Sequence, residues 1–363
     1  MKVIVSAGGT GGHIYPALAI IDILKKYYKD LDILYIGTHN RMEKDIIPEK
    51  GIKYEPIKIY GFNKKKVLKN IGNLGLICKA FKKCKKIIKD FKPDLVIGAG
   101  GYVTYPVLKV AQKMKIKTFI HEQNSFSGKT NVAVGKNATL IGVSFENSIK
   151  DFKSTKGKVF LMGNPCGKRA LDIKPIKKSD IGFSDSKPLV VAVAGSLGSM
   201  TVNKAFKEVL GNLSDKNYQF LYITGQKYYD EFIKDLKLSD NVKVVPYFNN
   251  LSGLLKNTDV LISRSGASTM SEIIALNIPT IFIPSPYVAN NHQYYNALDL
   301  VNKNAALMIE EKNFNKDVLL KKIDELLKNN KEIKNNLKAI ELIDSEKVFI
   351  NELRGIIKWK TNY

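Results

Sequence analysis

The chain has 363 residues, with 58 Lys and Arg against 34 Asp and Glu, a formal net charge of +24, and 44% hydrophobic and 25% charged content. That length exceeds one ordinary core and predicts two domains of a soluble globular protein. No apolar run reaches the roughly 20 residues a bilayer-spanning helix needs, and the three cysteines, Cys78, Cys84 and Cys166, offer neither a disulfide framework nor a metal-ligand spacing.

The N-terminus, Met1-Lys2-Val3-Ile4-Val5, runs straight into a glycine turn, which predicts a cytosolic protein without a signal peptide. The charge points to anionic partners such as phosphates, acidic lipid headgroups or nucleic acid. A coding bias toward Lys, Asn, Ile and Tyr would raise it as well, so its location is the better guide. From Asn63 to Lys92 there are eleven lysines and a single acid, Asp90. The preceding loop intersperses Phe62, Val67, Leu68 and Ile71 with Lys64, Lys65, Lys66 and Lys69, a pattern suited to an anionic membrane surface. No zinc finger, RNP-type signature or other reader module is present, which argues against nucleic acid.

In chain order, Val3-Ile4-Val5 reads as a buried strand ending in Ala7-Gly8-Gly9-Thr10-Gly11-Gly12-His13, followed by a helix from about Tyr15 to Tyr28 with Pro16 in its first turn. The turn has the character of a phosphate loop but fits neither standard fingerprint: a dinucleotide motif would need glycine where Ile14 stands, and there is no Gly-Lys-Ser/Thr. Ser127-Gly128-Lys129-Thr130 imitates the end of a P-loop, with Gln123 where its first glycine belongs. Strand and helix signals then alternate: Ile33 to Ile36, Met42 to Lys50, Tyr54 to Ile59, a helix Asn73 to Phe91, and Asp94 to Ile97. Such alternation predicts a parallel sheet covered by helices on both faces.

A second glycine turn, Gly98-Ala99-Gly100-Gly101-Tyr102, follows, and the strand Thr118-Phe119-Ile120 runs into His121-Glu122-Gln123-Asn124. Those four polar side chains stand where an open sheet binds its ligand, or else cap the next helix. Met162-Gly163-Asn164-Pro165 reads as the crossing point, and Lys168 to Lys187 is charged and turn-rich. The second half repeats the logic with the strand Leu189 to Val193, the glycine turn Ala194 to Ser199, a helix Thr201 to Leu210, and strands near Gln219, Val242, Asp259 and Thr280. From Lys316 the chain is helical and highly charged, a surface layer.

The stretch Ser263 to Glu272 reads as strand, tight turn and helix start. A helix opening this way aims unpaired N–H groups and its positive end at whatever lies above the sheet's carboxyl edge, which suits a diphosphate. Thr269 to Glu272 also fits a capping box, the ordinary alternative. Asp30-Leu31-Asp32 has the D-x-D form that some enzymes use for a divalent ion, but it lies where a helix runs into a strand and reads as a solvated turn.

Taken together, Gly8 to His13, Gly100-Gly101-Tyr102-Val103, His121 to Asn124, Gly163-Asn164-Pro165, Arg264-Ser265-Gly266-Ala267 with Ser271-Glu272, and Asn291-His292-Gln293 with Asn296-Ala297 closely resemble the MurG family. The set runs in order from residue 1 to about 310. That family comprises peripheral membrane glycosyltransferases that add N-acetylglucosamine to undecaprenyl-diphospho-N-acetylmuramyl-pentapeptide in peptidoglycan synthesis.

The resemblance implies an α/β protein of GT-B class, two Rossmann-like doubly wound domains facing across a cleft. Residues 1–163 would form the acceptor and membrane-side domain, 164–340 the UDP-sugar domain, and 341–363 a helix packing back toward the first. By position, Ala267, Ser268, Thr269, Ser271 and Glu272 would hold the donor diphosphate and ribose, with Glu272 taking ribose hydroxyls. Phe248 would lie beside the uracil and Ser196 would contact phosphate. Thr10, Gly11, Gly12, Asn124, His292 and Gln293 would line the sugar and diphosphate end. His13 is the candidate base for an inverting displacement, with His121 or Glu122 as alternative contacts to the sugar. No cofactor and no metal is expected, and the protein would act at the cytoplasmic face of the membrane. A related transferase acting on diacylglycerol, or a non-catalytic nucleotide- or lipid-binding protein of the same fold, are the alternatives. Two departures bear on nucleotide affinity: Cys166-Gly167 precede Lys168-Arg169 where the family has arginine soon after Gly-Asn-Pro, and the third glycine turn carries Leu197 in place of glutamine.

Overall fold

The computed structural model describes residues 1–61, 67–193, 200–288 and 291–357, the side chains of 67–74 excepted. Two compact units are present, Met1–Pro165 together with Ile343–Tyr363, and Cys166–Leu342.

The N-terminal unit is built on a seven-stranded sheet from β1 (Lys2–Ser6), β2 (Asp32–Thr38), β3 (Lys53–Ile57), β4 (Leu95–Gly98), β5 (Lys117–Glu122), β6 (Leu140–Val143) and β7 (Lys158–Leu161), in the order β3-β2-β1-β4-β5-β6-β7. Every pairing is parallel. Its central strands are apolar on both faces because helices cover both: Val3, Ile4, Val5, Val96 and Ile97 have no exposed surface. Each such side chain contributes about 1.5–3 kcal/mol by leaving water. β1 pairs with β2 on one side and β4 on the other, so the chain reverses its direction of winding between them and the turns after β1 and β4 meet at the switch point.

The C-terminal unit repeats this plan with six strands, β8 (Leu189–Val193), β9 (Gln219–Ile223), β10 (Val242–Val245), β11 (Val260–Ser263), β12 (Thr280–Phe282) and β13 (Leu307–Met308), in the order β10-β9-β8-β11-β12-β13. Its pairings are again parallel, and the switch point lies between β8 and β11. The charged helices Lys316–Lys328 and Asn330–Lys338 are amphipathic and bury Leu319, Ile323, Leu326, Ile333 and Leu337 in this unit's core.

The last helix, Ser345–Ile356, belongs to the N-terminal unit and does more than cover a surface. Phe349 lies 4.8 Å from Phe119, ring to ring, and Phe349, Ile350 and Leu353 join the core around β1 and β5. Gly163 (φ 76°) sits against Ile343 where the chain returns to this unit.

The helix after β1 spans Gly11–Tyr27, so it opens inside the glycine run, not at Tyr15. Pro16 therefore falls in the second turn, where it has no N–H to give the Gly12 carbonyl; Gly12 is exposed, so water can replace that bond. The lysine-rich helix begins at Val67 instead of Asn73. Of the expected membrane contacts, Phe62, Lys64, Lys65 and Lys66 lie outside the described residues, as do the side chains of Lys69 and Ile71.

Candidate active site

In the N-terminal unit the glycine turns after β1 and β4 interlock. Gly8 donates its amide to Gly100 O at 3.3 Å. Gly100 (φ 98°) and Gly101 (φ 89°) hold backbone conformations that L side chains rarely adopt, and a Cβ on Gly101 would be driven into the Gly8 carbonyl. The missing Cβ of Gly100 leaves room for the His13 imidazole, whose Nε2 would stand 2.9 Å from it.

His13 lies in the first turn of its helix, half-buried, with Thr10 Oγ1 3.3 Å from its Nδ1. Thr10 is the N-cap but leaves the first amides uncapped by its side chain, so Gly11 and Gly12 open the helix with N–H groups available to an anion. Desolvation holds the His13 pKa below the ordinary histidine value, while the Gly8 backbone and the Glu43 carboxylate pull it back up. The ring is therefore neutral and basic at neutral pH.

The polar run at the end of β5 behaves differently from the expectation of sugar contacts. β5 continues through Glu122, and His121, Glu122 and Gln123 are buried. His121 Nε2 is 3.2 Å from Gly163 O, and burial pushes its pKa down to about 4. Glu122 accepts from the amides of Asn124 and Gly128, both at 2.9 Å, and from Asn131 Nδ2 at 2.9 Å. Desolvation raises the Glu122 pKa, and those hydrogen bonds oppose it. Glu122 thus organises the loop and caps the helix Lys129–Gly135, the ordinary reading of this segment. Asn124 remains partly exposed, with its amide group on Glu122 at 3.2 Å. The P-loop imitation at Ser127-Gly128 is closed to phosphate, because the amides of Ser127 and Gly128 already donate to the carboxylates of Asp151 and Glu122.

In the C-terminal unit, β11 turns through Arg264, Ser265 and Gly266 into the helix Ala267–Leu276. Gly266 is the N-cap and no side chain caps it, so the capping box does not form: Thr269 lies inside the helix and Glu272 turns elsewhere. Glu272 Oε1 accepts from Ser252 Oγ at 3.0 Å. Desolvation pushes its pKa up to about 7, against the lowering effects of the Ser252 hydrogen bond and the Arg169 charge. Ser271 Oγ donates to Ser268 O at 2.8 Å.

The neighbouring turn is locked to this one. Ser265 Oγ donates to Gln293 O at 2.7 Å, Asn296 Nδ2 to Ser265 O at 3.0 Å, and the Ser285 amide to Gln293 Oε1 at 2.9 Å. Gln293 therefore uses its carbonyl within the protein, while His292 opens the helix His292–Asn302. Arg264 forms part of the wall, its Nη1 on Ile283 O at 2.9 Å and on Glu311 at 2.6 Å. Phe248 follows β10 and packs part of its ring on this unit's core. Ser196 lies outside the described residues.

The Cys166-Gly167 departure has a packing cause. A Cβ on Gly167 would stand 2.7 Å from Ser271 O and 3.4 Å from Ala275 Cβ, so glycine lets the helix Pro165–Asp172 lie directly against Ala267–Leu276. Arg169, one turn away from Cys166, places the positive field that Glu272 feels. Two contributors, Glu43 and Ser252, carried no signal in the sequence, whereas Arg169 was legible as part of the displaced basic pair after Gly-Asn-Pro. Among the described residues no group of three or more His, Cys, Asp or Glu could hold a metal ion, and Asp32 of the D-x-D pairs with Lys53 at 2.9 Å.

Comparison with known proteins bears on both units. Residues 3–143 match the glycosyltransferase family 28 N-terminal domain, and residues 189–353 match the glycosyltransferase family 28 C-terminal domain. The chain is 42% identical over 332 residues to the UDP-N-acetylglucosamine--N-acetylmuramyl-(pentapeptide) pyrophosphoryl-undecaprenol N-acetylglucosamine transferase of Leuconostoc mesenteroides, covering 91% of each chain. It is 43% identical over 333 residues to the protein of the same name from Caldanaerobacter subterraneus, covering 90% of this chain and 91% of that one. The crystal structure of Acinetobacter baumannii MurG matches 98% of this chain and 99% of its own with a TM-score of 0.70 at 23% identity, a likeness of fold.

Proposed function

The chain belongs to glycosyltransferase family 28 and, within it, to the UDP-N-acetylglucosamine--N-acetylmuramyl-(pentapeptide) pyrophosphoryl-undecaprenol N-acetylglucosamine transferases, and from that premise we propose how its residues carry the reaction. It is a hexosyltransferase of peptidoglycan synthesis that moves N-acetylglucosamine from UDP-N-acetylglucosamine to undecaprenyl-diphospho-N-acetylmuramyl-pentapeptide. The observation that carries this is identity above 40% sustained over nine-tenths of both chains.

In our reading the C-terminal unit holds the donor and the N-terminal unit the acceptor. The uncapped helix start at Ala267, Ser268 and Thr269 takes the diphosphate, Glu272 the ribose hydroxyls, and Phe248 the uracil face, with Ser196, His292 and Gln293 completing the donor site. Gly11 and Gly12, with Thr10 and Asn124, line the reacting end. His13 takes the proton of the acceptor hydroxyl as its oxygen bonds to the anomeric carbon; the bond to the UDP oxygen breaks on the opposite face, so configuration inverts. The helix amides stabilise the negative charge that builds on the leaving UDP. None of these steps calls on a metal or cofactor. Transfer of labelled sugar to the muramyl-pentapeptide lipid, unchanged by a chelator, is the expected result. Transfer to diacylglycerol instead would install the related acceptor chemistry, and binding of UDP-sugar without turnover would install the non-catalytic reading.

Glu272 makes donor binding depend on pH. The carboxylate offers ribose hydroxyls two charged acceptor oxygens, whereas the protonated acid keeps one neutral acceptor and turns the other oxygen into a donor; with a pKa raised to about 7, Glu272 loses the stronger form on mild acidification. KM for UDP-N-acetylglucosamine should therefore rise as pH falls below about 7, approaching tenfold per unit, and Glu272→Gln should abolish the slope. A KM flat between pH 5.5 and 8 in the native enzyme would remove Glu272 from the ribose.

We also infer peripheral association with an anionic membrane. No helix among the described residues is long and apolar enough to cross one. The lysine-rich segment supports surface attachment, and so does Tyr105, exposed, with Lys109 Nζ 6.0 Å over its ring and Phe81 edge-on at 6.1 Å. Binding to vesicles should require acidic lipid and weaken with salt, since the Debye length shrinks from about 10 Å at 0.1 M to 3 Å at 1 M. Replacing Lys64, Lys65, Lys66 and Lys69 together by Gln should reduce it; undiminished binding would move the contact elsewhere.

A further inference from the structure

We propose that Glu43, at the start of the helix Glu43–Glu49 after β2, is a positioning residue for the reaction: it holds the first glycine turn from beneath and thereby sets the imidazole of His13. The inference rests on His13 acting as the base and adds the group that works through it.

Glu43 has no exposed surface. Its carboxylate is divided between two chain segments. Oε1 accepts from the Thr38 amide at 3.1 Å and the Thr38 hydroxyl at 2.6 Å, both at the end of β2. Oε2 accepts from the Gly9 amide at 3.3 Å, in the turn after β1. A Cβ on Gly8 would land on this same carboxylate, so a glycine at that place is what allows the turn to lie so close above it. The carboxylate therefore clamps the end of β2 to the loop that presents His13.

Both oxygens accept, so the place calls for a carboxylate: glutamine would turn its NH2 toward the Gly9 or the Thr38 amide and leave two donors facing each other. Keeping that buried charge out of water on three neutral donors costs several kcal/mol. The same charge also acts on the imidazole of His13, which it favours in the protonated form. Among the described residues, the other groups placed at that imidazole are Gly8 and Thr10 from the β1 turn and Gly100 from the β4 turn, with Gln123 beside Gly100 at the end of β5, and none of these four titrates. Tyr35 and Tyr54 flank Glu43, and burial together with its charge raises both phenols, so they stay neutral. A fixed negative charge beneath a desolvated imidazole favours the imidazolium that forms when His13 takes the acceptor proton. Without it, only the Gly8 backbone would oppose desolvation, and His13 would be a weaker base.

Two variants of the full chain separate charge from reach. Glu43→Gln keeps the length, removes the charge and gives up one of the two acceptor oxygens; Glu43→Asp keeps the charge and both acceptors but falls one methylene short of Gly9. The readouts are the NMR titration of the His13 ring, assigned by its loss in His13→Gln among only four histidines, and the pH profile of kcat with the lipid acceptor. In Glu43→Gln the His13 titration should move down by about half a pH unit or more, and the acid limb of kcat should move with it. In Glu43→Asp the titration should stay near native while kcat falls about tenfold and KM for the donor holds within about twofold. A folded Glu43→Gln whose His13 titration is unmoved overturns the inference. A titration that moves beneath an unmoved acid limb overturns the base assignment, and with it the catalytic meaning of Glu43. Should Glu43→Gln not fold, Glu43→Asp decides, and native kcat in that variant overturns the inference.

Discussion

His13→Ala is expected to lower kcat for N-acetylglucosamine transfer by roughly 10²–10⁴, with KM for the donor little changed and thermal unfolding near native. The magnitude is that of losing a general base while every helix amide around the leaving group stays in place. The unfolding result follows because the ring is half-buried and its polar contacts lie within its own turn, with Thr10 Oγ1 at 3.3 Å and with the Gly8 backbone. The native enzyme should lose kcat as pH falls through the His13 pKa, since protonation removes the lone pair that takes the acceptor proton. Because desolvation lowers that pKa, the acid limb should lie below the ordinary histidine value of about 6.5. Initial rates at saturating substrates between pH 5 and 8 check both statements. A His13→Ala enzyme within tenfold of native kcat would send the search for the base elsewhere, and not to His121 or Glu122, which are buried and hold the fold through His121 Nε2 and the Glu122 carboxylate.

The second large effect concerns stability. Gly101→Ala combines two costs at one position: a φ of 89° that an L side chain adopts only with strain, and a Cβ driven into the Gly8 carbonyl, which cannot retreat without releasing the Gly8–Gly100 hydrogen bond. Strain of about 1–3 kcal/mol and overpacking of a similar size sum to roughly 2–6 kcal/mol. At about 2–4 °C per kcal/mol for a unit of this size, Tm should fall by roughly 5–20 °C. Activity should fall too, since Gly100 next to it seats the His13 ring. Gly75→Ala is the contrast: a Cβ there meets nothing within 4 Å, and the residue is exposed inside the helix Val67–Phe91, so alanine should stabilise by about 0.5–1 kcal/mol. Equal melting temperatures for the two variants would show that the crossed glycine turns are looser than their geometry implies.

Much of the architecture was legible in the sequence. Short Val- and Ile-rich runs separated by helical stretches can be buried only in parallel sheets covered on both faces, and each glycine turn after a first strand marked where winding reverses. The ordered motifs reached further, to the family and so to the substrates. What they could not disclose is the direction in which a polar side chain is turned. His121 and Glu122 stand one after the other at a strand's carboxyl end, where ligands bind, yet both serve the protein, because Gly163, Gly128 and Asn131 arrive from 6 to 42 residues away to use them. Thr269 and Glu272 have the spacing of a capping box, but the helix begins two residues before Thr269 and Ser252 claims the glutamate.

The sequence by itself determined the elements, the order of the glycine turns and the family, because hydrophobic period, turn chemistry and motif order are local and survive being read along a line. Only the tertiary structure decided that a Glu43 indistinguishable from any acid in a first helical turn lies beneath Gly9, that Gly167 is a place of helix contact, and that Glu272 rises toward neutrality. Each of those depends on which groups burial brings together and strips of water, and desolvation is a property of the folded neighbourhood, not of the residue.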